Sequence, residues 1–119
     1  KILVADDEMS IRLLYSEELK EEGYEVYLAA NGREALDIVD KVPLDLVILD
    51  IKMPEMDGIT LITEIRKMAA FKFTPILMLT TESTDDKKKA GQTAGATGWI
   101  VKPFNPEQML KVIQKVLPA

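Results

Sequence analysis

Short apolar runs alternate along this chain with longer segments in which apolar residues recur every three or four positions. The runs are Ile2-Leu3-Val4-Ala5, Val26-Tyr27-Leu28-Ala29, Leu46-Val47-Ile48-Leu49, Ile76-Leu77-Met78-Leu79 and Trp99-Ile100-Val101. Four of them are nearly continuous, as in parallel strands that are covered on both faces. The second, within residues 24–30, alternates more between apolar and polar positions and suits an edge strand. The pattern predicts an α/β fold in which βα units surround a parallel five-stranded sheet.

The segments between the runs carry apolar stripes at helical spacing. The stripes comprise Ile11, Leu14, Tyr15 and Leu19, then Leu61, Ile62, Ile65, Met68 and Ala69, then Met109, Leu110, Ile113, Val116 and Leu117. Residues that favour helix ends lie beside the predicted helices, at Gly23, Asn31-Gly32, Asp57-Gly58 and Asn105-Pro106. Residues 83–96 have little apolar stripe, so their helix is the weakest prediction.

The composition indicates one ordinary globular domain over residues 1–119. The 119 residues leave no room for a second folded unit, and 47% of them are hydrophobic and 29% charged. The chain has no cysteine, which excludes disulfide scaffolds, zinc-cysteine sites and thiol catalysis. It also has no histidine, which excludes imidazole bases, Ser-His-Asp triads and histidine metal sites.

The charge and hydropathy of the chain argue against nucleic-acid and membrane partners. The net charge of −5 is a poor match for nucleic acid or anionic lipid. No apolar run approaches the roughly 20 residues that a membrane span needs, and no signal-peptide pattern precedes Lys1. We therefore expect a cytoplasmic protein without membrane insertion. Because the chain starts with Lys1 and a strand follows at once, we expect its natural start to have been trimmed.

Polar residues follow four of the predicted strands. They are Asp6-Asp7 after the first, Asp50 after the third, Thr80-Thr81 after the fourth and Lys102-Pro103 after the fifth. Taken singly, each has an ordinary explanation as a helix cap, a turn residue or a solvated charge. The carboxyl ends of parallel strands share one edge of a sheet, however, and open α/β sheets bind ligands at that edge. The coincidence therefore predicts a site there.

The residue types at this edge favour a cation and a phosphoryl group. Clustered carboxylates repel one another, and a hard divalent cation such as Mg²⁺, which prefers oxygen ligands, offsets that repulsion. Lys102 adds a fixed positive charge. Such a pocket suits a phosphoryl group attached to one carboxylate. We expect Asp50 to be the most buried strand-end carboxylate and therefore the nucleophile.

These motifs together resemble the receiver domain of two-component response regulators over the whole chain. The resemblance rests on Leu3-Val4-Ala5-Asp6-Asp7-Glu8, on residues 46–58, on Met78-Leu79-Thr80-Thr81 and on Gly98-Trp99-Ile100-Val101-Lys102-Pro103-Phe104. The Asp-Asp pair alone would be a weak signal, but the combination is highly specific. From Thr74 onward the chain is most similar to chemotaxis-type, CheY-like regulators.

The resemblance implies a flavodoxin-like (βα)₅ three-layer sandwich with strand order 2-1-3-4-5. It implies that Asp50 accepts a phosphoryl group from the phosphohistidine of a histidine kinase or phosphotransfer domain. The protein would then be a self-phosphorylating phosphoacceptor with slow autodephosphorylation, and not an enzyme. The resemblance also implies Mg²⁺ ligation by Asp7, Asp50 and the main-chain carbonyl of Lys52, with Asp6 acting mainly through water.

Further roles follow from the same resemblance. Lys102 would contact the phosphoryl oxygens, and Thr80 would donate its hydroxyl to the phosphoryl group. The Lys102-Pro103 peptide would be cis, a geometry that proline permits. Trp99 stands where the family commonly has Tyr or Phe, and it is either a rotamer switch or a packed aromatic residue with output through backbone movement.

Two loop charges have competing interpretations. Lys52 and Glu82 are either solvated residues or modulators of the phosphoryl lifetime that flank the path of an attacking water. As an opposite-charge pair they would shield the acyl phosphate, which predicts a long-lived phosphorylated state.

The sequence leaves several alternatives for the downstream target and for the type of regulator. The resemblance implies that a downstream protein target meets the face formed by the fourth helix, the fifth strand and the fifth helix. The charged run within residues 85–89 starts that fourth helix, although such runs more often form a solvated surface. The first half of the chain looks more like phosphorelay or transcriptional receivers. The chain is thus a stand-alone regulator, a phosphorelay intermediate or an excised receiver, and natural divergence explains the mixture more simply than a chimera.

Two other functions fit the pattern less well. A flavodoxin-like redox protein would share the strand order, but Asp6-Asp7-Glu8 would repel the flavin phosphate. A metal-dependent aspartyl phosphatase of the haloacid dehalogenase type needs an acid two residues beyond its nucleophile, and that position is Lys52.

Overall fold

A parallel five-stranded sheet forms the centre of the computed structural model, which describes residues 1–50, 58–80, 89, 92–101 and 106–116. The strands are β1 (Ile2–Ala5), β2 (Val26–Ala29), β3 (Leu46–Asp50), β4 (Ile76–Thr80) and β5 (Gly98–Val101). The helices are α1 (Met9–Glu21), α2 (Gly32–Lys41), α3 (Gly58–Arg66), α4, of which residues 89 and 92–94 are described, and α5 (Pro106–Val116). A short 3₁₀ helix, Ala69–Phe71, lies between α3 and β4.

The order of the strands is β2-β1-β3-β4-β5, and every neighbouring pair is parallel. This confirms the predicted α/β fold, its strand order and the edge position of the second strand. The difference in apolar pattern between the central strands and the edge strand β2 follows from how deeply each strand is buried. All positions of β1 and β3 are buried, whereas β2 leaves most of its side chains partly or fully accessible. The continuous apolar runs of β1 and β3 therefore belong to central strands, whereas the similar run of β5 lies at the other edge of the sheet.

Alternate side chains of the strands enter two separate apolar cores, one on each face of the sheet. On the first face, Leu3, Val47 and Met78 pack against residues of α2 and α3. On the second face, Val4 and Ile48 belong with residues of α1 and α5. Because successive side chains of a strand point to opposite faces, both faces of the sheet are apolar and both are covered by helices, which gives three layers.

The helix boundaries follow local signals at two points that the sequence marks. Gly23, just after α1, has a φ of 92°, a conformation that glycine adopts without steric cost. At the start of α2, Asn31 Oδ1 accepts a hydrogen bond from the Glu34 backbone N–H at 2.9 Å. Glu34 Oε1 accepts in return from the Ala30 N–H at 3.1 Å. These reciprocal contacts satisfy two donors at the helix start.

Two predictions from the apolar stripes were wrong. The third helix ends at Arg66, so Met68 and Ala69 are not part of it, and Met68 has extended backbone with φ −82° and ψ 126°. The chain instead turns through the 3₁₀ helix, which buries Phe71. Leu14 on α1 is 38% exposed, because its neighbour Tyr15 fills the core. The predicted end signals at Asp57 and Asn105, Leu117 and most of residues 83–96 lie outside the described residues.

The side chain of Arg66 connects α3 to the segments that lead into β4 and β5. Its Nη1 donates to the main-chain oxygens of Phe71 at 2.8 Å and Thr74 at 2.6 Å. Its Nε donates to the main-chain oxygen of Gly95 at 2.9 Å. Gly95 has a φ of 116°, and a Cβ there would lie 2.8 Å from Arg66 Cγ. One half-buried guanidinium therefore holds three segments of the backbone together.

Within the described ranges, every helix is too short or too polar to span a lipid bilayer.

Candidate functional site

Asp6 and Asp50 lie side by side where two central strands end. The parallel register of β1 and β3 ends with Ala5 opposite Leu49, and each aspartate is the next residue along its strand. The Asp6 N–H continues the ladder by donating to the Ala29 carbonyl at 3.1 Å. Asp6 is 0% and Asp50 is 7% exposed. The parallel register therefore brings two buried carboxylates together, as the strand-end pattern predicted.

Asp6 is more buried than Asp50, so the expectation that Asp50 is the most buried strand-end carboxylate was wrong. The reason is the turn between β1 and α1, which folds back over Asp6. The Glu8 backbone N–H donates to Asp6 Oδ1 at 3.0 Å. Arg12, one turn into α1, donates from Nη1 to the main-chain oxygen of Asp6 at 2.6 Å. Both contacts hold the turn and cover this aspartate.

Three consecutive carboxylates, Asp6, Asp7 and Glu8, form what we call the acidic cluster. One carboxylate oxygen from each lies within 4.8 Å of the others. Asp6 is buried, whereas Asp7 and Glu8 are exposed. Oxygen donors of this kind fit a hard divalent cation such as Mg²⁺, and a cation would offset the repulsion among the like charges. The donor chemistry of the acidic cluster, with Asp50 on the neighbouring strand, is thus compatible with the predicted metal.

Sequence reasoning left Glu8 and Arg12 out of the site. Glu8 was visible as a third acid directly after Asp6 and Asp7, at the start of a predicted helix. Arg12 carried no comparable signal, because its contact to a main-chain oxygen depends on how the turn folds. Its guanidinium supplies positive charge beside the acidic cluster.

Tyr15 was predicted as a core residue of α1, and the charges of the same carboxylates reach it. It is 0% exposed and packs in the apolar core between the sheet, α1 and α5. Burial raises the pKa of its hydroxyl, and the negative charges of Asp6 and Asp50 raise it further. The hydroxyl is therefore protonated at every physiological pH and lies within the electric field of the site.

The ends of β4 and β5 lie at the same edge of the sheet as the carboxylates. Asp50 pairs with Leu79, and Thr80 pairs with Val101 at the last position of both strands. Of Thr80, the structure describes the backbone. The other predicted site residues, Lys52, Glu82, Lys102 and Pro103, lie outside the described residues, so their roles stay predictions.

Trp99 and Ile100 are neighbours on β5, and their side chains enter different cores on opposite faces of the sheet. It pairs with Met78 and is half-buried against the core on the α2 and α3 side, whereas Ile100 belongs to the α1 and α5 side. Both interpretations of Trp99, as a switch and as a packed aromatic residue, are compatible with this position.

An open cleft of about 500 Å³ lies at the opposite edge of the sheet, where the strands begin. Tyr24, Leu44, Phe73 and Pro75 are among the residues that line it. The predicted chemistry is elsewhere, because the carboxylates lie where the strands end. This cleft is therefore separate from the candidate site.

Comparison with known sequences identifies a protein family that matches nearly the whole chain. Residues 2–114 match the family model of the response regulator receiver domain. The chain is 43% identical over 117 residues to the "Probable transcriptional regulator ycf27" of Porphyridium aerugineum, a match that covers 98% of this chain and 48% of that protein. The chain thus spans about half the length of the transcriptional regulators that it matches.

Solved structures share the same fold. The chemotaxis response regulator CheY4 of Vibrio cholerae is 51% identical, with a TM-score of 0.94 over 98% of this chain and 97% of CheY4. The receiver domain of sensor histidine kinase PA1611 from Pseudomonas aeruginosa is 25% identical, with a TM-score of 0.88 over 96% of this chain and 93% of that domain. In that crystal structure a magnesium ion is coordinated in the active site cleft.

Proposed function

This chain belongs to the response regulator receiver domain family of two-component signalling, and from that premise we propose that it is a phosphoacceptor switch. Receiver domains are typically switches and not enzymes, and a histidine kinase is the kind of partner that the family implies. The observation that carries the proposal is the pairing of Asp50 with the acidic cluster where the central strands end. Residues 1–119 form a single receiver domain in this proposal.

Asp50 is the proposed acceptor. One of its carboxylate oxygens attacks the phosphorus of a phosphohistidine, the P–N bond breaks, and the imidazole leaves with the bonding electron pair. The burial of Asp50 limits access of water to the resulting acyl phosphate, which supports storage of the group over rapid hydrolysis.

The acidic cluster supports a role for Mg²⁺ beside Asp50. Asp7, Asp50 and the main-chain carbonyl of Lys52 would hold the ion, and Asp6 would act through water. When bound, Mg²⁺ would neutralise charge on the carboxylates and on the phosphoryl oxygens. The magnesium ion in the PA1611 receiver domain supports this choice of metal.

Recognition of the phosphoryl group is assigned to residues that follow β4 and β5. Lys102 contacts the phosphoryl oxygens, Thr80 donates its hydroxyl to them, and Pro103 shapes the backbone beside Lys102. Trp99 senses the change on the sheet face toward α2 and α3. A phosphoryl group that binds the active arrangement better than the inactive one shifts the population between the two. The shift would alter the face formed by α4, β5 and α5 and its affinity for a protein target.

The lengths of the matched proteins support two settings for this phosphoacceptor, as part of a longer regulator or as a stand-alone regulator. The transcriptional regulators are about twice as long as this chain, which fits the receiver part of such a regulator. CheY4, by contrast, is matched over 97% of its length, which fits a stand-alone regulator. Both settings use the same phosphoacceptor chemistry.

We expect the wild-type chain to gain one phosphoryl group when it is incubated with Mg²⁺ and a small phosphodonor such as acetyl phosphate. Intact-mass spectrometry measures the gain, and EDTA in place of Mg²⁺ should abolish it. Hydroxylamine should remove the group, because acyl phosphates react with this nucleophile whereas phosphate esters do not. A gain that is equal in EDTA, or that resists hydroxylamine, would contradict the proposal.

We expect Lys52→Ala to shorten the life of the phosphorylated state. Loss of the Lys52 and Glu82 charge pair would open the path of an attacking water, with decay about threefold faster, equivalent to about 0.7 kcal/mol in the barrier. Decay of the phosphorylated mass after removal of the donor gives the rate. Lys41→Ala, at the exposed end of α2, is the matched control and should decay as the wild-type chain does. Unchanged or slower decay of Lys52→Ala would contradict shielding.

A further inference from the structure

Tyr15 places a hydroxyl group on the same side of the sheet as the site carboxylates. Val4 and Ile48 contribute to the core that contains Tyr15, and side chains alternate between faces along a strand. Asp6 and Asp50 are each two residues further on, so they continue the same face. Tyr15 thus belongs to the core on the face of the sheet toward which Asp6 and Asp50 point.

A tyrosine at this position is not explained by packing alone. The ring is fully buried, and the hydroxyl oxygen is inaccessible to solvent. Phenylalanine would fill the same space without bringing a polar group out of water, which costs free energy. Burial and the two carboxylate charges raise the pKa of the hydroxyl, so it remains protonated and can act as a hydrogen-bond donor. Its most favourable orientation directs the proton toward the negative charge.

We propose that the Tyr15 hydroxyl is a counter-dipole for Asp6 and Asp50, which stabilises the metal-free site and so sets its affinity for Mg²⁺. Tyr15 is then a positioning residue that acts through the two aspartates. The inference rests on the proposed function, because the cation concerned is that of the phosphoacceptor site.

The sign of the effect follows from the charge of the carboxylates. The dipole of the hydroxyl is attracted more strongly to an ionised carboxylate than to one whose charge a bound cation offsets. Mg²⁺ neutralises much of the carboxylate charge, so the hydroxyl stabilises the metal-free state more than the Mg²⁺-bound state. Loss of the hydroxyl therefore raises the free energy of the metal-free state more, and Mg²⁺ binds more tightly. We expect roughly fivefold tighter binding, equivalent to about 1 kcal/mol.

Mg²⁺ titrations by calorimetry at one pH compare the wild-type chain with Tyr15→Phe and Tyr24→Phe. Tyr24 is half-buried against the same core but lies at the other end of the sheet, which makes it a matched control. Tyr15→Phe should bind Mg²⁺ about fivefold more tightly, and Tyr24→Phe should bind as the wild-type chain does. Equal or weaker binding by Tyr15→Phe overturns the proposal.

Urea unfolding of the same proteins in EDTA and in saturating Mg²⁺ separates this role from a structural one. The loss of stability from Tyr15→Phe should be larger in EDTA than in Mg²⁺, because the two measurements are linked. A purely structural hydroxyl would give the same loss in both, and that result overturns the proposal.

Two further outcomes also decide the test: a Tyr15→Phe variant that does not fold, and a wild-type chain that binds no Mg²⁺. If Tyr15→Phe does not fold, the ring resonances of Tyr15 in the wild-type NMR spectrum should shift on Mg²⁺ addition while those of Tyr24 do not. Absence of that shift overturns the role of Tyr15. If the wild-type chain binds no Mg²⁺, the proposed metal-dependent function fails together with this inference. Normal wild-type binding with an unchanged Tyr15→Phe variant overturns this inference alone.

Discussion

We expect the Asp50→Asn variant to gain no phosphoryl group under conditions that fully modify the wild-type chain. Asparagine has nearly the same shape as aspartate, but its amide oxygen is neutral and a poor nucleophile. The expected loss is at least about a hundredfold, to below detection by intact-mass spectrometry with Mg²⁺ and acetyl phosphate. No other change in this chain is expected to reduce phosphorylation more, because Asp50 forms the new bond itself.

The control for this experiment is Asp40→Asn, on the exposed side of α2. It removes one carboxylate away from the site and should be phosphorylated as the wild-type chain is. The free energy of unfolding of Asp50→Asn should not fall, because the substitution removes like-charge repulsion with the buried Asp6. Equal modification of Asp50→Asn and the wild-type chain would show that another residue is the acceptor.

The sheet could be predicted from the sequence because burial on two faces leaves a simple pattern. A central strand such as β3 has five consecutive buried positions, so its sequence is a continuous apolar run that ends at Asp50. In the edge strand β2, only Ala29 of the four positions is buried. Parallel pairing then fixes which strand ends lie together, so Asp6 and Asp50 could be predicted at one edge of the sheet, where they lie in the structure.

The parts that could not be predicted depend on contacts between segments that are distant in the chain or on how a turn folds. The greater burial of Asp6 relative to Asp50 comes from the turn that covers it, through the N–H of Glu8 and the side chain of Arg12. Apolar spacing identified Tyr15 as core but could not show that the charges of Asp6 and Asp50 act on its hydroxyl and raise its pKa. The same spacing continued α3 through Met68, although the chain turns there.

Arg66 is another such residue, because a lone arginine at the end of a helix carries no sequence signal for the four main-chain oxygens to which it donates. We expect Arg66→Met to lower the free energy of unfolding by about 2–4 kcal/mol, since charged hydrogen bonds are lost and main-chain oxygens of Phe71, Thr74 and Gly95 lose their donor. The half-buried position of Arg66 keeps the loss below the full sum of the bonds, because water replaces part of them. Urea unfolding monitored by far-ultraviolet circular dichroism measures the change.

Two further variants test whether the stability comes from the geometry of the guanidinium. Arg66→Lys tests the contribution of charge, and Lys67→Met tests the contribution of a cation at the end of the helix. Arg66→Lys keeps the charge but cannot reach the acceptors on both sides, so it should lose most of the stability that Arg66→Met loses. Lys67→Met, at the next position, removes an exposed 3.1 Å ion pair with Glu64 and should cost no more than about 0.5 kcal/mol. Arg66→Lys with wild-type stability would show that charge alone matters. Arg66→Met as stable as Lys67→Met would mean that the contacts to Phe71, Thr74 and Gly95 contribute nothing to holding α3, β4 and β5 together.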